Sequence, residues 1–169
     1  MTDVEINRLW EVVAGSFQGP EHSIHGPEHW RRVERNALLI APQSGADVSV
    51  VRLFAVFHDS RRVNDGHDRG HGARGAEYAR KLRGKAYELD DDRFELLLFA
   101  CVWHTDRRHY PDPTIGTCWD ADRLDLWRVG MRTNPAYMNT AFGRQLASGG
   151  GVEAYLESEH RSPMPWERD

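Results

Sequence analysis

The residues of this sequence that could do chemistry are histidines and aspartates placed in a particular order. Nine histidines occur in 169 residues, and one of them, His29, falls inside a predicted helix. His58 and Asp59 end the most apolar predicted helix, and Asp122 lies later, in the acidic segment 120–125. Burying an imidazole beside a carboxylate costs free energy unless the two groups are paired or coordinated. Because a divalent cation binds neutral imidazole and carboxylate oxygen together, this order predicts a metal site.

Three segments carry a resemblance to a known family. They are His-Gly-Pro-Glu-His-Trp-Arg-Arg-Val at 25–33, Phe-His-Asp at 57–59 and Asp-Ala-Asp-Arg-Leu-Asp at 120–125. In this order they resemble the successive motifs of the HD-domain superfamily of metal-dependent phosphohydrolases, over about residues 22–130. The resemblance implies an all-α fold, a single-domain helical bundle of the HD-domain type over residues 1–169. It also implies that the metal ligands are His29, His58, Asp59 and Asp122, with Asp120 as the alternative to Asp122.

Two further histidines have two interpretations each. His71 opens the helix predicted after the loop 60–70, and His104 ends the helix before the last motif. Some members of the resembled superfamily carry extra histidines in these intervals and hold a second ion, with the aspartate of the His-Asp pair, here Asp59, bridging both. Alternatively, His71 and His104 contact a substrate phosphate or orient the ligands. We expect His25 and His67 at the rim of the cleft.

The chemistry that the resemblance implies is phosphoester hydrolysis. One or two divalent ions per chain, of Mn, Fe, Co, Mg, Ni or Zn, would activate a water molecule and polarise a phosphoryl oxygen. The candidate catalytic residues are Asp59, Asp68 and Arg62. Arg62, with Arg61 beside it, could bind phosphate oxygens, and Asp68 or Asp65 could act as a general acid or base. The expected partner is a small phosphorylated metabolite, with a nucleotide as the leading class.

Two other functions fit parts of the same pattern. A few members of the superfamily are di-iron oxygenases, and they carry a six-ligand set, here His29, His58, Asp59, His71, His104 and Asp122. A degenerate HD domain could instead serve as a non-catalytic metal-binding module, although the presence of all four core ligands disfavours it. Iron content and oxygen consumption would separate the oxygenase from the hydrolase, and metal binding would test the module.

Composition limits the classes of function. The formal net charge of −4 provides no basic field for nucleic acid, which is therefore an unlikely partner. No apolar run approaches the roughly 20 residues of a membrane span, so no membrane association is expected. The two cysteines, Cys101 and Cys118, form no disulfide framework, and the first residues lack a secretion signal. A reducing cytoplasm is the expected compartment.

The helices that must position these residues are predicted from apolar spacing and capping signals. Thr2 and Glu5 indicate a capping box at the start of the first helix. Pro27 suits the first turn of the second helix, which Pro42 is expected to close, and Asp47 can cap the third. The predicted helices are 2–19, 27–42, 48–57, 71–82, 93–103, 120–127, 135–147 and 152–160, with loops at 60–70 and around Pro111 and Pro113.

Overall fold

The regular structure of residues 2–160, which the computed structural model describes, is helical apart from one isolated bridge between Arg83 and Tyr87. The helices are α1 (Asp3–Gly15), α2 (Pro27–Ser44), α3 (Val48–Phe57), α4 (His71–Leu82), α5 (Asp91–Trp103), α6 (Pro113–Leu124), α7 (Ala141–Ser148) and α8 (Val152–His160). Short 3-10 helices follow α6 and precede α7. The prediction of an all-α helical bundle is confirmed.

Local capping signals explain where several helices begin. The Thr2 side chain accepts a hydrogen bond from the Glu5 N–H, and the Glu5 carboxylate accepts one from the Thr2 N–H, so the predicted capping box is present. Asp47 caps α3 by accepting from the Val50 N–H. The bounds of α3 and α4 agree with the predicted segments 48–57 and 71–82. The starts of α1 and α3 depend on side-chain caps between residues three apart, which residue types in the sequence indicate. The start of α4 has no such cap.

The central element of the bundle is α3. Its apolar residues from Val50 to Phe57 are buried, because the helix packs against α1, α2, α4, α5 and α6, and only Val48 in its first turn is exposed. Phe54 and Phe57 on α3 and Trp119 on α6 are among the largest fully buried side chains. A second, smaller core under α7 and α8 contains Ile40 and Leu146. The end of α3 is therefore held from all sides, which suits it to present reactive groups.

Several predicted helix boundaries are wrong. The first helix ends at Gly15 rather than at Gly19, and two other boundaries involve proline. Pro42 does not close α2, which continues to Ser44 and ends at Gly45, whose φ of 75° is left-handed. Pro42 lacks the N–H that would bond the Leu38 carbonyl and its ring crowds that carbonyl, yet the exposed proline leaves the last turn intact as far as Ser44. Pro113 lies in the first turn of α6, where no intrahelical N–H bond is needed, and the Asp112 side chain caps the helix.

The later segments also differ from the prediction. In place of a helix over 120–127, α6 spans Pro113–Leu124 and changes into the 3-10 helix Asp125–Val129. The predicted segment 135–147 is divided into the 3-10 helix Pro135–Tyr137 and α7, which the Thr140 side chain caps. Within the described residues, no helix has the length and apolar character that a membrane crossing requires.

Candidate metal centre

The ends of five helices bring six histidine and aspartate side chains to one place. His29 lies in the first turn of α2 and Asp122 in the last turn of α6, while His58 and Asp59 directly follow α3. His71 is the first residue of α4, and His104 directly follows α5. Within the described residues, every group of three side chains that could hold an ion includes members of this set: His25, His29 and Asp59; His29, His58 and Asp122; Asp59, His71 and His104.

One part of the cluster, named here the first half, consists of His29, His58, Asp122 and the Oδ2 atom of Asp59. The His29 Nε2 atom lies 3.2 Å from the His58 Nε2 atom and 3.2 Å from the Asp122 Oδ1 atom. The Asp59 Oδ2 atom lies 3.7 Å from His29 Nε2 and 3.8 Å from His58 Nε2. These four donors surround a common point with two nitrogens and two oxygens, a donor set typical of divalent transition metals.

The second half consists of His71, His104 and the other oxygen of Asp59. The Asp59 Oδ1 atom lies 3.2 Å from the His71 Nε2 atom and 3.6 Å from the His104 Nε2 atom. The two Nε2 atoms are 2.9 Å apart. Asp59 therefore turns one oxygen to each half, so a single carboxylate serves both donor sets.

The opposite edge of each imidazole is fixed by an oxygen atom. His29 Nδ1 donates to the Asp125 carboxylate at 2.7 Å, and His58 Nδ1 donates to the backbone carbonyl of Phe54 at 3.1 Å. The other two Nδ1 atoms donate at 2.7 Å to backbone carbonyls, that of Asp68 for His71 and that of Cys101 for His104. Because these oxygens only accept, each Nδ1 carries a proton, and in its neutral form each ring presents a bare Nε2 lone pair to the cluster.

This donor chemistry fits a cation. Two bare Nε2 lone pairs about 3 Å apart repel each other unless a positive charge lies between them, and both halves contain such a pair. Outer partners that fix the imidazole tautomer are the usual surroundings of metal-binding histidines. The residues present therefore suit a divalent ion in the first half, and a second ion in the second half.

The two imidazoles of each half differ in the direction of their pKa shifts. Burial lowers the pKa of His58 to about 3, and burial with the neighbouring His104 lowers the pKa of His71. Burial also acts to lower the pKa of His29 and of His104, but hydrogen bonds to carboxylates outweigh it, so that both pKa values are raised. In each half, one imidazole therefore has a raised pKa and the other a lowered pKa. A metal ion binding there would compete with the proton on the imidazole of raised pKa.

The carboxylates of the cluster remain ionised. Burial acts to raise the pKa of Asp59, but the neighbouring His58 and His104 hold it well below its usual range. For Asp122, burial is outweighed by the hydrogen bond from His29 and by the charge of nearby imidazoles, and its pKa is also lowered. Anionic oxygens are what a divalent ion requires, so both aspartates are in the binding-competent form at neutral pH.

Asp120 and Asp122 are separated by the structure. Asp122 lies in the first half, and its side chain is 21% exposed. Asp120 is fully buried and accepts hydrogen bonds from the backbone N–H groups of Asn139 and Thr140, and from both of their side chains. Its carboxylate anchors the segment before α7. Of these two aspartates, Asp122 is the one with an oxygen near the imidazoles.

Two residues at the cluster have roles that the sequence did not reveal. Asp125, which fixes His29, also accepts from Arg32 Nε at 2.8 Å. It lies three residues after Asp122, on the same helical face, and that spacing is the signal that could have found it. His25, expected at the rim, donates from Nδ1 to Asp59 Oδ2 at 2.9 Å and is partly exposed.

The residues proposed for acid, base or phosphate contacts lie around the second half. Arg62 Nε donates to Asp59 Oδ1 at 3.0 Å, so Arg62 joins the cluster. The Asp68 carboxylate accepts from Arg74 Nη2 at 2.6 and 2.7 Å and from the Val63 N–H, so its oxygens are engaged away from the cluster. Asp65 accepts from the Ser23 hydroxyl.

Two other groups predicted near the cleft lie outside the cluster. Arg61 donates to the Ser16 backbone carbonyl, and its guanidinium covers the Tyr78 ring, so Arg61 is not directed at the donor set. His67 is exposed and accepts from Arg69 Nε at 2.9 Å, which agrees with a position at a cleft rim.

Two glycines let α4 approach the ends of α3 and α5. A Cβ atom on Gly72 would overlap the backbone oxygen of Cys101, and one on Gly75 would overlap that of Phe57. Without a side chain at these positions, the first turn of α4 can sit against both helix ends. This approach brings His71 to His104, and it requires glycine for steric reasons alone.

Comparison with known proteins gives two similar structures. Neither the protein-family models nor the curated protein sequences contain a match to this chain. One similar crystal structure is of a predicted HD superfamily hydrolase from an uncultured Thermotogales bacterium, with 26% identity, 92% of this chain and 89% of that chain covered, and a TM-score of 0.68. The other is of an HD-superfamily hydrolase from Bacillus thuringiensis, with 15% identity, 98% of both chains covered, and a TM-score of 0.61. The second likeness shows the fold alone.

Proposed function

Because this chain belongs to the HD superfamily of hydrolases, we propose that it is a metal-dependent phosphohydrolase acting on a small phosphorylated metabolite, with a nucleotide as the leading class. The observation that carries the proposal is the shared carboxylate of Asp59, which turns one oxygen to each of two imidazole pairs. This arrangement suits one or two ions per chain. We also propose that residues 1–169 form a single domain of this type.

The first half would hold the principal ion through His29, His58, Asp59 and Asp122, and the second half would add His71 and His104. When bound, a divalent ion lowers the pKa of a water molecule and polarises a phosphoryl oxygen, which promotes attack on phosphorus. Imidazole ligands favour Fe, Co, Ni or Zn, and the carboxylates of the same set also suit Mn. Mg, whose preferred ligands are oxygens alone, is disfavoured. The chain itself fixes the orientation of the imidazoles through the oxygen partners of their Nδ1 atoms.

A cavity beside the second half suits a small anionic substrate. It has a volume of about 490 Å³, and Arg62, His71 and Thr105 form the wall nearest the cluster. Arg69 adds a second cationic side chain, and Trp103 provides an apolar wall. The volume lies within the usual range for small-molecule sites, and cationic and N–H groups on one wall are what a phosphate requires.

A larger cavity of about 600 Å³ lies between the chain after α1 and the outer face of α4. None of the imidazoles or carboxylates of the cluster lines it. Its guanidinium groups are engaged internally, because Arg61 donates to Ser16 and Arg74 donates to Asp68. Arg62 lines both cavities and donates to Asp59. The smaller cavity is therefore the proposed substrate site, because it is the one that touches the donor set.

Within this proposal the flanking residues have separate roles. Arg62 provides positive charge at the inner wall of the cavity, where a substrate phosphate would lie. The carboxylate of Asp68 is paired with Arg74, so we assign Asp68 to positioning the 60–70 loop rather than to proton transfer. The backbone carbonyl of Asp68 also orients His71.

The proposal is tested by a metal-dependent activity screen over nucleotides, sugar phosphates and generic phosphodiesters. Chelator should abolish phosphate release, and added Mn²⁺ should restore it. Asp59→Ala, which removes one oxygen donor from each half, should lose bound metal in elemental analysis and at least 100-fold in turnover. Glu11→Ala, which removes an exposed carboxylate of α1, is the control and should retain both.

Three outcomes would contradict the proposal. Unchanged metal content in Asp59→Ala would remove the assigned site. Binding of iron with oxygen consumption, and no phosphate release from any substrate of the panel, would favour the di-iron oxygenase, which uses the same six residues. Metal binding without any turnover would favour a binding module.

A further inference from the structure

Arg62 is a fixed positive charge in contact with the second half of the cluster. Its Nε atom donates to Asp59 Oδ1 at 3.0 Å, and its Nη2 atom lies 3.5 Å from His71 Nε2. Its Nη1 atom donates to the backbone carbonyl of Gly66 at 3.2 Å. Arg62 is 9% exposed, so the guanidinium is held in place by the loop and by Asp59. An arginine does not lose its proton in a protein, so this charge is permanent.

The two halves differ in charge although both contain a pair of imidazoles. The first half has Asp59 Oδ2, which also accepts from His25, and Asp122 Oδ1. A third carboxylate, Asp125, lies behind His29 and is itself paired with Arg32 and Arg128. The second half has only the other oxygen of Asp59, and that oxygen is already paired with Arg62. Behind His71 and His104 are neutral backbone carbonyls.

From this difference we propose that Arg62 makes the two halves unequal in metal affinity. A divalent ion entering the second half would meet the guanidinium at the same Asp59 oxygen and the same His71 nitrogen. Like charges at such separations repel strongly in a partly buried site. The protein therefore binds one ion tightly in the first half and a second ion weakly. This inference rests on the proposed function, since it concerns the same two halves.

The consequence is a defined role for the second half when one ion is bound. Arg62 and His71 both line the cavity proposed for the substrate. With Arg62 supplying the positive charge there, these side chains serve as contacts for a substrate anion in place of a second ion. At low metal concentration, His71 therefore contacts the substrate anion. At high metal concentration, it binds the second ion.

The experiment uses Mn²⁺ alone as the probe, titrated into chelator-treated and dialysed full-length protein, with stoichiometry and affinity measured by calorimetry. Wild type should bind one ion tightly and a second at least tenfold more weakly. Arg62→Gln keeps a hydrogen-bond donor for Asp59 but removes the charge, and it should tighten the second binding step at least tenfold. The first binding step should change by less than threefold.

Three further variants serve as controls. Arg69→Gln removes the same charge from an exposed residue of the same loop and should leave both binding steps unchanged. Arg62→Lys keeps the charge and should keep the second step weak. Arg62→Met, which keeps the apolar stem, replaces Arg62→Gln if the glutamine variant does not fold, and it should also tighten the second step.

The outcomes separate this inference from the proposed function. If wild type binds two ions with equal affinity, or if neutral Arg62 variants bind the second ion more weakly, Arg62 orients Asp59 rather than opposing the ion. The inference would then be overturned, while the proposed function would stand. If wild type binds no Mn²⁺ in either step, the proposed function itself fails. An electron paramagnetic resonance spectrum of spin-coupled Mn²⁺ pairs at one equivalent would also overturn the inference.

Discussion

The two halves of the candidate metal centre use the same type of ligand but are built by different parts of the fold. The first half joins α2, the end of α3 and α6, which pack against one another in the main core. The second half joins the start of α4 to the end of α5. The imidazoles of both halves are oriented through Nδ1, but only His29 has a carboxylate behind it. The comparison shows that two sites with the same type of ligand can differ in their electrostatic environment, because the charged groups around the ligands differ.

The halves also differ in what holds them in place. His29 lies on a helix whose neighbouring residues Trp30 and Val33 are fully buried. His71 depends on the close approach of α4 at Gly72 and on the loop held by the ion pair between Asp68 and Arg74. The first half is thus supported by packing and by carboxylates. The second half is supported by steric fit and by a loop.

Removing the carboxylate behind His29 should produce the largest change in the difference between the two halves, because it should lower the Mn²⁺ affinity of the first half. The hydrogen bond from His29 to the Asp125 carboxylate orients the imidazole and raises the basicity of His29. Asp125→Asn keeps the shape of the side chain but weakens this hydrogen bond. We expect the affinity of the first half for Mn²⁺ to fall by about 10–100-fold. Calorimetric titration measures it, with Asp106→Asn, an exposed carboxylate on the cavity wall, as the control. A change below threefold would show that Asp125 does not distinguish the halves.

Adding a methyl group at the start of α4 should affect the second half alone. In Gly72→Ala the new Cβ atom would overlap the Cys101 backbone oxygen, so α4 must shift and carry His71 away from His104. We expect the free energy of unfolding to fall by about 1–3 kcal/mol, as in other overpacked sites. Urea denaturation measures this, and the second Mn²⁺ binding step should weaken while the first is unchanged.

The control for that change is Gly15→Ala in the last turn of α1. A Cβ atom there meets nothing within 4 Å, so the free energy of unfolding should stay the same or rise slightly. Equal destabilisation by the two substitutions would show that the approach of α4 is not sterically limited at Gly72.

The smallest expected effect concerns the loop that supports the second half. Burial acts to raise the pKa of Asp68, but the hydrogen bond and charge of Arg74 and the Val63 N–H lower it below its usual range. A lowered pKa in the folded state stabilises the protein above the unfolded pKa of about 3.9, and this contribution is lost as pH falls through the folded value. Because Arg74 is 41% exposed, solvent screens the pair, and Asp68→Asn should cost about 1 kcal/mol at pH 7.

The pH dependence provides the measurement. In chelator, the difference in unfolding free energy between wild type and Asp68→Asn should be constant from pH 7 to pH 5 and should disappear as Asp68 becomes protonated below its lowered pKa. Glu11→Gln, on an exposed face of α1, should show no such difference. A gap between the Asp68 variant and wild type that widened on acidification would contradict the direction of the pKa shift.

The helices were predicted best where their signals are local. The Thr2–Glu5 capping box and the Asp47 cap involve residues three apart, and α3 and α4 begin where such signals or the apolar pattern place them. Prediction was poorest around Pro42 and Pro113, because proline is compatible with the first turn of a helix and tolerated in the last. A sequence shows the proline but not the packing that decides whether a helix continues.

For the candidate site, the sequence by itself determined which residue types recur and in what order, because ligand chemistry depends on the side chain. It nominated His29, His58, Asp59 and Asp122, with Asp120 as the alternative. Only the tertiary structure shows which of the two aspartates lies beside the imidazoles. Asp120 and Asp122 are two residues apart on one helix, which is a rotation of about 200° around the helix axis, so they lie on nearly opposite faces. Asp122 faces the imidazoles, and Asp120 accepts hydrogen bonds from the segment before α7.

Only the tertiary structure, likewise, gave Arg62 and Asp125 their positions. The spacing of Asp125 from Asp122 could have nominated it as a residue of the site. However, Asp125 lies 96 residues from the imidazole that it orients, and no local pattern shows that it pairs with His29. Arg62 could have faced solvent like its neighbour Val63, but the turn after α3 directs its guanidinium to Asp59. Charge acts through space rather than along the chain. The donors of the site can therefore be listed from the sequence, while the difference between its two halves depends on the fold.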